Sequence, residues 1–226
     1  MKSFFGTFLF ILLLTFPSLA ISQMKIKVNL ENKNEVLYLV KYKSDKTQII
    51  IDTSYNNVFS NSEKIPEGIY IISDKKQQPI FEILIGKDQK FSLTVDNLMD
   101  LNSYKVKGCK ETSSYFDVYS KTIHNILYIK ALESEIKYNP NNKAKIDSLK
   151  KSLYEYQESM LRKDNNSFLN TYIKSIEKVI VPQDIEHIEK YIIEHYFDNI
   201  PLCDSRILNS RLLKNKLDNF FNNYRK

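Results

Sequence analysis

Hydrophobic and polar residues alternate strictly over Lys25-Ile26-Lys27-Val28-Asn29-Leu30, the two-residue period of a strand with one face buried. Further runs of branched and aromatic residues follow at 36–42, 48–52, 68–72, 79–85, 90–95 and 103–107. Turn signals separate them: Ser44-Asp45, Asn56-Asn57, Pro66-Glu67-Gly68, Ser73-Asp74 and Gly86-Lys87-Asp88. Short strands at roughly ten-residue spacing predict an antiparallel β-sandwich or open barrel.

From Glu111 the period lengthens to that of a helix. Tyr115, Phe116, Tyr119, Ile123, Ile126, Leu127 and Ile129 recur at three- and four-residue steps and predict one apolar stripe. Asn139-Pro140-Asn141-Asn142 ends that helix, and Ile146, Leu149, Leu153, Tyr156 and Met160 define a second, stopped at Asp164-Asn165-Asn166. A third helix is expected over 167–177. A fourth carries Ile185, Ile188, Ile192 and Ile193 inward, and a last one carries Leu212, Leu213, Leu217, Phe220 and Phe221. The expected fold class is therefore α+β, with a β module over 23–108 followed by a helical bundle over 109–226.

The first 22 residues differ from all of this. Lys2 precedes an apolar run, and Pro17-Ser18-Leu19-Ala20 breaks it, with small residues at Ser18, Ala20 and Ser22 fitting a signal-peptidase site. That three-part layout predicts a secretory signal peptide and a periplasmic or cell-envelope location. The competing reading is a retained membrane anchor, which would be the protein's one tie to a membrane.

Composition narrows the chemistry. Hydrophobic residues at 42% and charged residues at 27% belong to a globular chain. Two cysteines exclude a disulfide-dense mini-protein and a four-cysteine zinc site. Four glycines leave little material for a phosphate-cradling loop, and no nucleophile-elbow serine or Walker-type lysine is present. Loss of Lys2 with the signal leaves a mild +5, from 32 basic and 27 acidic residues. The basic C-terminal stretch suits a helix end, and no nucleic-acid partner is expected of an exported chain.

Cys109 and Cys203 stand far apart in sequence, without Cys-x-x-Cys spacing. They could form a structural disulfide between the two halves, or be two separate free thiols. His187 and His195 are eight positions apart, about 12 Å of helical rise, too far for one ion, so no metal is expected. No catalytic residues and no cofactor are assigned. The 15 Tyr and 13 Phe could supply a groove for sugar or peptide, or simply pack the strands. The densest segment, from His195 to Leu208, is a candidate docking corner built on His195, Asp198, Asp204 and Arg206. There Asp204 would cap the following turn, and Arg206 would reach Asp198.

That corner also carries a resemblance. His195-Tyr196-Phe197-Asp198-Asn199, with Asp204, Arg206, Leu208 and Lys216-Leu217, resembles a segment of exported TlpA-type thioredoxin-like proteins of Bacteroidota, just ahead of their thioredoxin domain. Gly68-Ile69-Tyr70-Ile71, Phe81-Glu82-Ile83-Leu84-Ile85, Phe91-Ser92-Leu93-Thr94-Val95-Asp96 and Val106-Lys107-Gly108 resemble the β-rich module that opens those proteins. The resemblance implies an accessory region without the thioredoxin domain, so the family's Cys-x-x-Cys has no counterpart among these residues. The expected function is a non-catalytic binding or docking module of the cell envelope. The alternative is the accessory half of a thiol-disulfide oxidoreductase system, working with a separate thioredoxin-like partner.

Overall fold

The computed structural model describes residues 23–31, 35–42, 48–162, 167–177, 179, 181–182 and 184–224. The signal peptide, the turn at Ser44-Asp45 and the helix stop at Asp164-Asn165-Asn166 lie outside them.

Among the described residues eight strands come first: β1 Met24–Leu30, β2 Tyr38–Tyr42, β3 Gln48–Thr53, β4 Val58–Asn61, β5 Gly68–Ser73, β6 Pro79–Ile85, β7 Lys90–Val95 and β8 Tyr104–Lys107. Six α-helices follow among them: α1 Lys110–Glu135, α2 Asn142–Leu161, α3 Phe168–Ile176, α4 Ile188–His195, α5 Ser205–Leu208 and α6 Arg211–Tyr224. The class is α+β, and both four-stranded sheets are open, in the orders β4-β1-β7-β8 and β3-β2-β5-β6.

The first sheet departs from an all-antiparallel expectation. β1 runs parallel to β7, with Lys25 opposite Lys90 and Leu30 opposite Val95. Alternation fixes which side chains turn inward, and it is silent on the direction of the neighbouring strand. Strand β4 was not anticipated either. Asn56 and Asn57 both take positive φ, 50° and 62°, and Tyr55 bridges Val58 across them. This tight turn delivers the chain from β3 in one sheet to β4 in the other.

Met24, Ile26 and Val28 of β1 and Phe91, Leu93 and Val95 of β7 are buried, while Lys25 and Lys27 face solvent, so the first sheet is covered on one side. Strand β5 is buried along its whole length, which requires cover on both faces. The β4-containing sheet covers one. Helix α5 and the helices beside it cover the other, and α1 lies against the outer strands β6 and β8. At that edge Thr112 Oγ1 donates to the carbonyl oxygen of Leu84 at 2.9 Å, satisfying an acceptor that β6 would otherwise leave unpaired. One hydrophobic cluster runs from Met24 and Ile26 through Tyr115 and Tyr172 to Ile207 and Leu213.

Two helical expectations need correction. On α1, Tyr115, Phe116 and Ile129 are buried, but Leu127 is 61% exposed, because α1 outruns the sheets. Its far end packs on α2, through Ile129, Leu132 and Ile146. Helix α4 buries none of its residues, and Ile188 is 56% exposed. Eight residues give two turns, too few to hold an apolar stripe against a core that α3 and α5 already cover.

Candidate functional site

The residues singled out in the corner separate into two arrangements. His195 Nδ1 meets Asp198 Oδ2 at 2.6 Å on an exposed surface, with the Tyr191 ring 4.2 Å from the imidazole. Arg206 does not reach for Asp198; it turns inward. Its Nε donates to both Asp204 oxygens at 3.0 and 3.1 Å and its Nη2 to Asp204 Oδ2 at 2.7 Å. Nη1 reaches Glu67 at 3.2 Å, Nη2 reaches Thr171 Oγ1 at 3.3 Å, and the guanidinium lies 4.9 Å from the Phe168 ring centre. Asp204 also accepts the Arg206 backbone N–H at 2.9 Å and so caps α5. Hydrogen bonds from Arg206 hold the Asp204 carboxyl below its ordinary range, against the opposing pull of burial. The guanidinium thus binds the loop before β5, helix α3 and the α5 corner together, with its donors engaged.

The two cysteines are free thiols. Cys109 is buried at the N-cap of α1, where its sulfur lies 3.2 Å from Thr112 Oγ1, the acceptor for the thiol while the Thr112 proton goes to Leu84, and Cys203 is exposed in the turn after Pro201. Among the described residues no three His, Cys, Asp or Glu side chains converge as metal ligands. No helix among them is long and apolar enough to cross a membrane.

A different group of residues forms the most chemically organised concavity. Where β6, β8 and α1 meet, Phe81, Tyr104 and Phe116 pack as an aromatic trio, with ring centres 5.3 Å apart for Phe81–Tyr104 and 5.0 Å for Tyr104–Phe116. Beside them opens a cleft of 220 Å³, reaching Tyr42 and Ile71 on the sheet, Leu98 and Leu101 at its rim, Tyr119 on α1 and Arg211 at the start of α6. Glu82 stands in its wall. Opposite Ile71 in the β5–β6 register, this acid points among the aromatic residues that cover the sheet.

The Glu82 side chain is 18% exposed, and its Oε1 is sealed from solvent without a hydrogen bond. The Arg211 Nε is 3.5 Å away, a loose ion pair. Burial pushes the Glu82 carboxyl above its ordinary range, and Arg211 pulls it part of the way back. Burial also raises Tyr104, to about 12, and Tyr119, whose phenol feels the Glu82 charge as well. These phenols stay protonated at any physiological pH, and the Tyr104 hydroxyl donates to the Leu98 carbonyl oxygen at 3.3 Å.

Past Tyr104 and Phe116 a second groove of 530 Å³ continues along α1, lined by Asn102, Asp117, Ser120, Lys121, His124 and Asn125 among others. Leu101, Tyr104 and Phe116 line both spaces. A larger groove of 570 Å³ between α4 and α6 contains no carboxylate, and part of its wall adjoins residues 178 and 180, outside the described set.

Sequence reasoning missed Glu82 and Arg211. The available signal was a single acid inside the apolar run Phe81-Glu82-Ile83-Leu84-Ile85, in a strand expected to be covered. No family model matches the chain, and neither a curated protein nor a solved structure does.

Proposed function

We propose that the protein is an exported, non-catalytic binding module of the cell envelope, and that its ligand enters the cleft walled by Glu82, Arg211 and the aromatic trio. Export rests on the signal-like pattern of residues 1–22. The observation that carries the binding role is the Glu82 carboxylate, partly exposed and held only by a loose ion pair to Arg211, in the wall of an open cavity. A carboxylate drawn into an apolar wall without a close hydrogen bond costs the fold stability, and its place at a cleft supports a role in binding.

The test uses the mature chain against a panel of small neutral, cationic and anionic solutes, read by thermal shift alongside assays for hydrolysis and thiol-disulfide exchange. A saturable shift without turnover, abolished by a Leu98→Trp substitution that fills the rim, supports the binding role. Turnover by the purified chain sinks it.

The alternative, an accessory to a separate thioredoxin-like partner, draws on the exposed free thiol of Cys203, since disulfide exchange needs an accessible sulfur. Trapping of a mixed disulfide that Cys203→Ser eliminates would favour it.

A further inference from the structure

We infer that the cleft and the groove beyond it form one continuous site for a neutral oligosaccharide. The inference rests on the binding role proposed above and names its ligand class. Size is the first constraint: 220 Å³ lies below the range of drug-sized pockets, so the inner cleft takes a single ring or side chain. The outer groove of 530 Å³ shares Leu101, Tyr104 and Phe116 with it, so the two spaces adjoin and a ligand longer than one ring would extend across these side chains.

Charge is the second constraint. Glu82 faces Arg211 in the inner cleft, and Asp117 lies with Lys121 in the outer groove beside His124, so each space sets a carboxylate against a cation and neither is lined by one sign of charge. Balanced charge gives neither an anion nor a cation a net attraction. A carboxylate beside a guanidinium instead offers an acceptor and a donor side by side, the complement of neighbouring hydroxyl groups, each of which donates and accepts. Asn102, Ser120 and Asn125 extend that neutral hydrogen-bonding surface along the outer groove.

The third constraint is the aromatic surface at the junction. A pyranose ring has an apolar C–H face, which the partly exposed Tyr104 ring at the junction can cover while its hydroxyls turn to the polar groups. A free polypeptide strand is less suited, because the small inner cleft presents only the Glu82–Arg211 pair where a backbone needs a series of partners.

Soluble cello-, xylo-, malto- and chito-oligosaccharides are titrated into the mature chain and followed by tyrosine fluorescence and protein-observed NMR. Acetyl-lysine amide and acetyl-arginine amide serve as the cationic arm. The expected result is saturable binding of at least one neutral series, weakened about tenfold or more by Glu82→Gln and eliminated by Leu98→Trp, with both variants folded. Binding of the cationic amides alone overturns the sugar inference and leaves the binding role standing. Binding that neither variant changes overturns the cleft as the site, and no binding in either arm removes the support for both.

Discussion

The arginine–carboxylate arrangements around Arg206 and Arg211 are built from the same chemical groups and differ in how fully those groups are engaged. Arg206 spends its donors on Asp204, Glu67 and Thr171 and rests against Phe168. Arg211 stands 3.5 Å from a Glu82 oxygen that has no hydrogen bond, at the wall of a cavity. A saturated pair holds three elements in register, whereas the unsaturated pair beside open space is where we propose that a ligand binds. Residual hydrogen-bonding capacity next to a cavity, more than the kind of ion, separates the strut from the site.

The sharpest way to break the comparison is Arg206→Ala. Removing the guanidinium leaves Asp204 and Glu67 partly buried without their cation, and a loss of about 3 kcal/mol is expected in urea unfolding. If the loss is within the error of a surface pair, the strut description fails.

Gly86→Ala probes a second tie between sheet and helices. A Cβ there would lie 1.8 Å from Glu111 Oε2, and Glu111 Oε1 accepts the backbone N–H of Leu169 at the start of α3 at 2.9 Å. The flexible carboxylate can swing away only by giving up that bond, so a loss of about 1–2 kcal/mol is expected by the same measurement.

The two carboxylates should also differ in the sign of their pH dependence. Glu82 has a raised folded-state value, so its contribution is full below the unfolded value and is lost as pH rises through the folded one. Glu82→Gln should therefore stabilise the protein at neutral pH, with the gain vanishing in acid. Asp204 is lowered, so its contribution is present above the unfolded value and is lost as pH falls through the folded one. Thermal unfolding across a pH series of the native chain, Glu82→Gln and Arg206→Ala separates the two slopes.

The smallest effect belongs to the exposed pair. His195→Ala removes a contact to Asp198 in which the two side chains are 40% and 60% exposed, and less than about 0.5 kcal/mol should be lost in urea. A larger loss would move the outer corner from surface decoration to structure.

The elements themselves were legible for local reasons. The alternation in β1, the Asn56-Asn57 turn and the three- and four-residue steps of Tyr115, Phe116 and Ile129 report backbone geometry and burial within a few residues. Asp204 as the cap of α5 was legible for the same reason, since a cap acts within one turn. The stripe misled where it continued to Leu127, because periodicity records a capacity to be buried and only a neighbouring element can fulfil it.

By itself, then, the sequence determined a β half followed by an α half, most of the element positions and the capping at Asp204, all consequences of short-range φ/ψ preference and side-chain period. Only the tertiary structure decided that β1 pairs in parallel with β7, that Arg206 turns to Glu67 and Thr171 rather than Asp198, and that Glu82 meets Arg211 at the edge of an aromatic cleft. Those outcomes depend on which distant surfaces pack together. Burial then sets the electrostatic and hydrogen-bonding cost of each polar group, a quantity that no window along the chain contains.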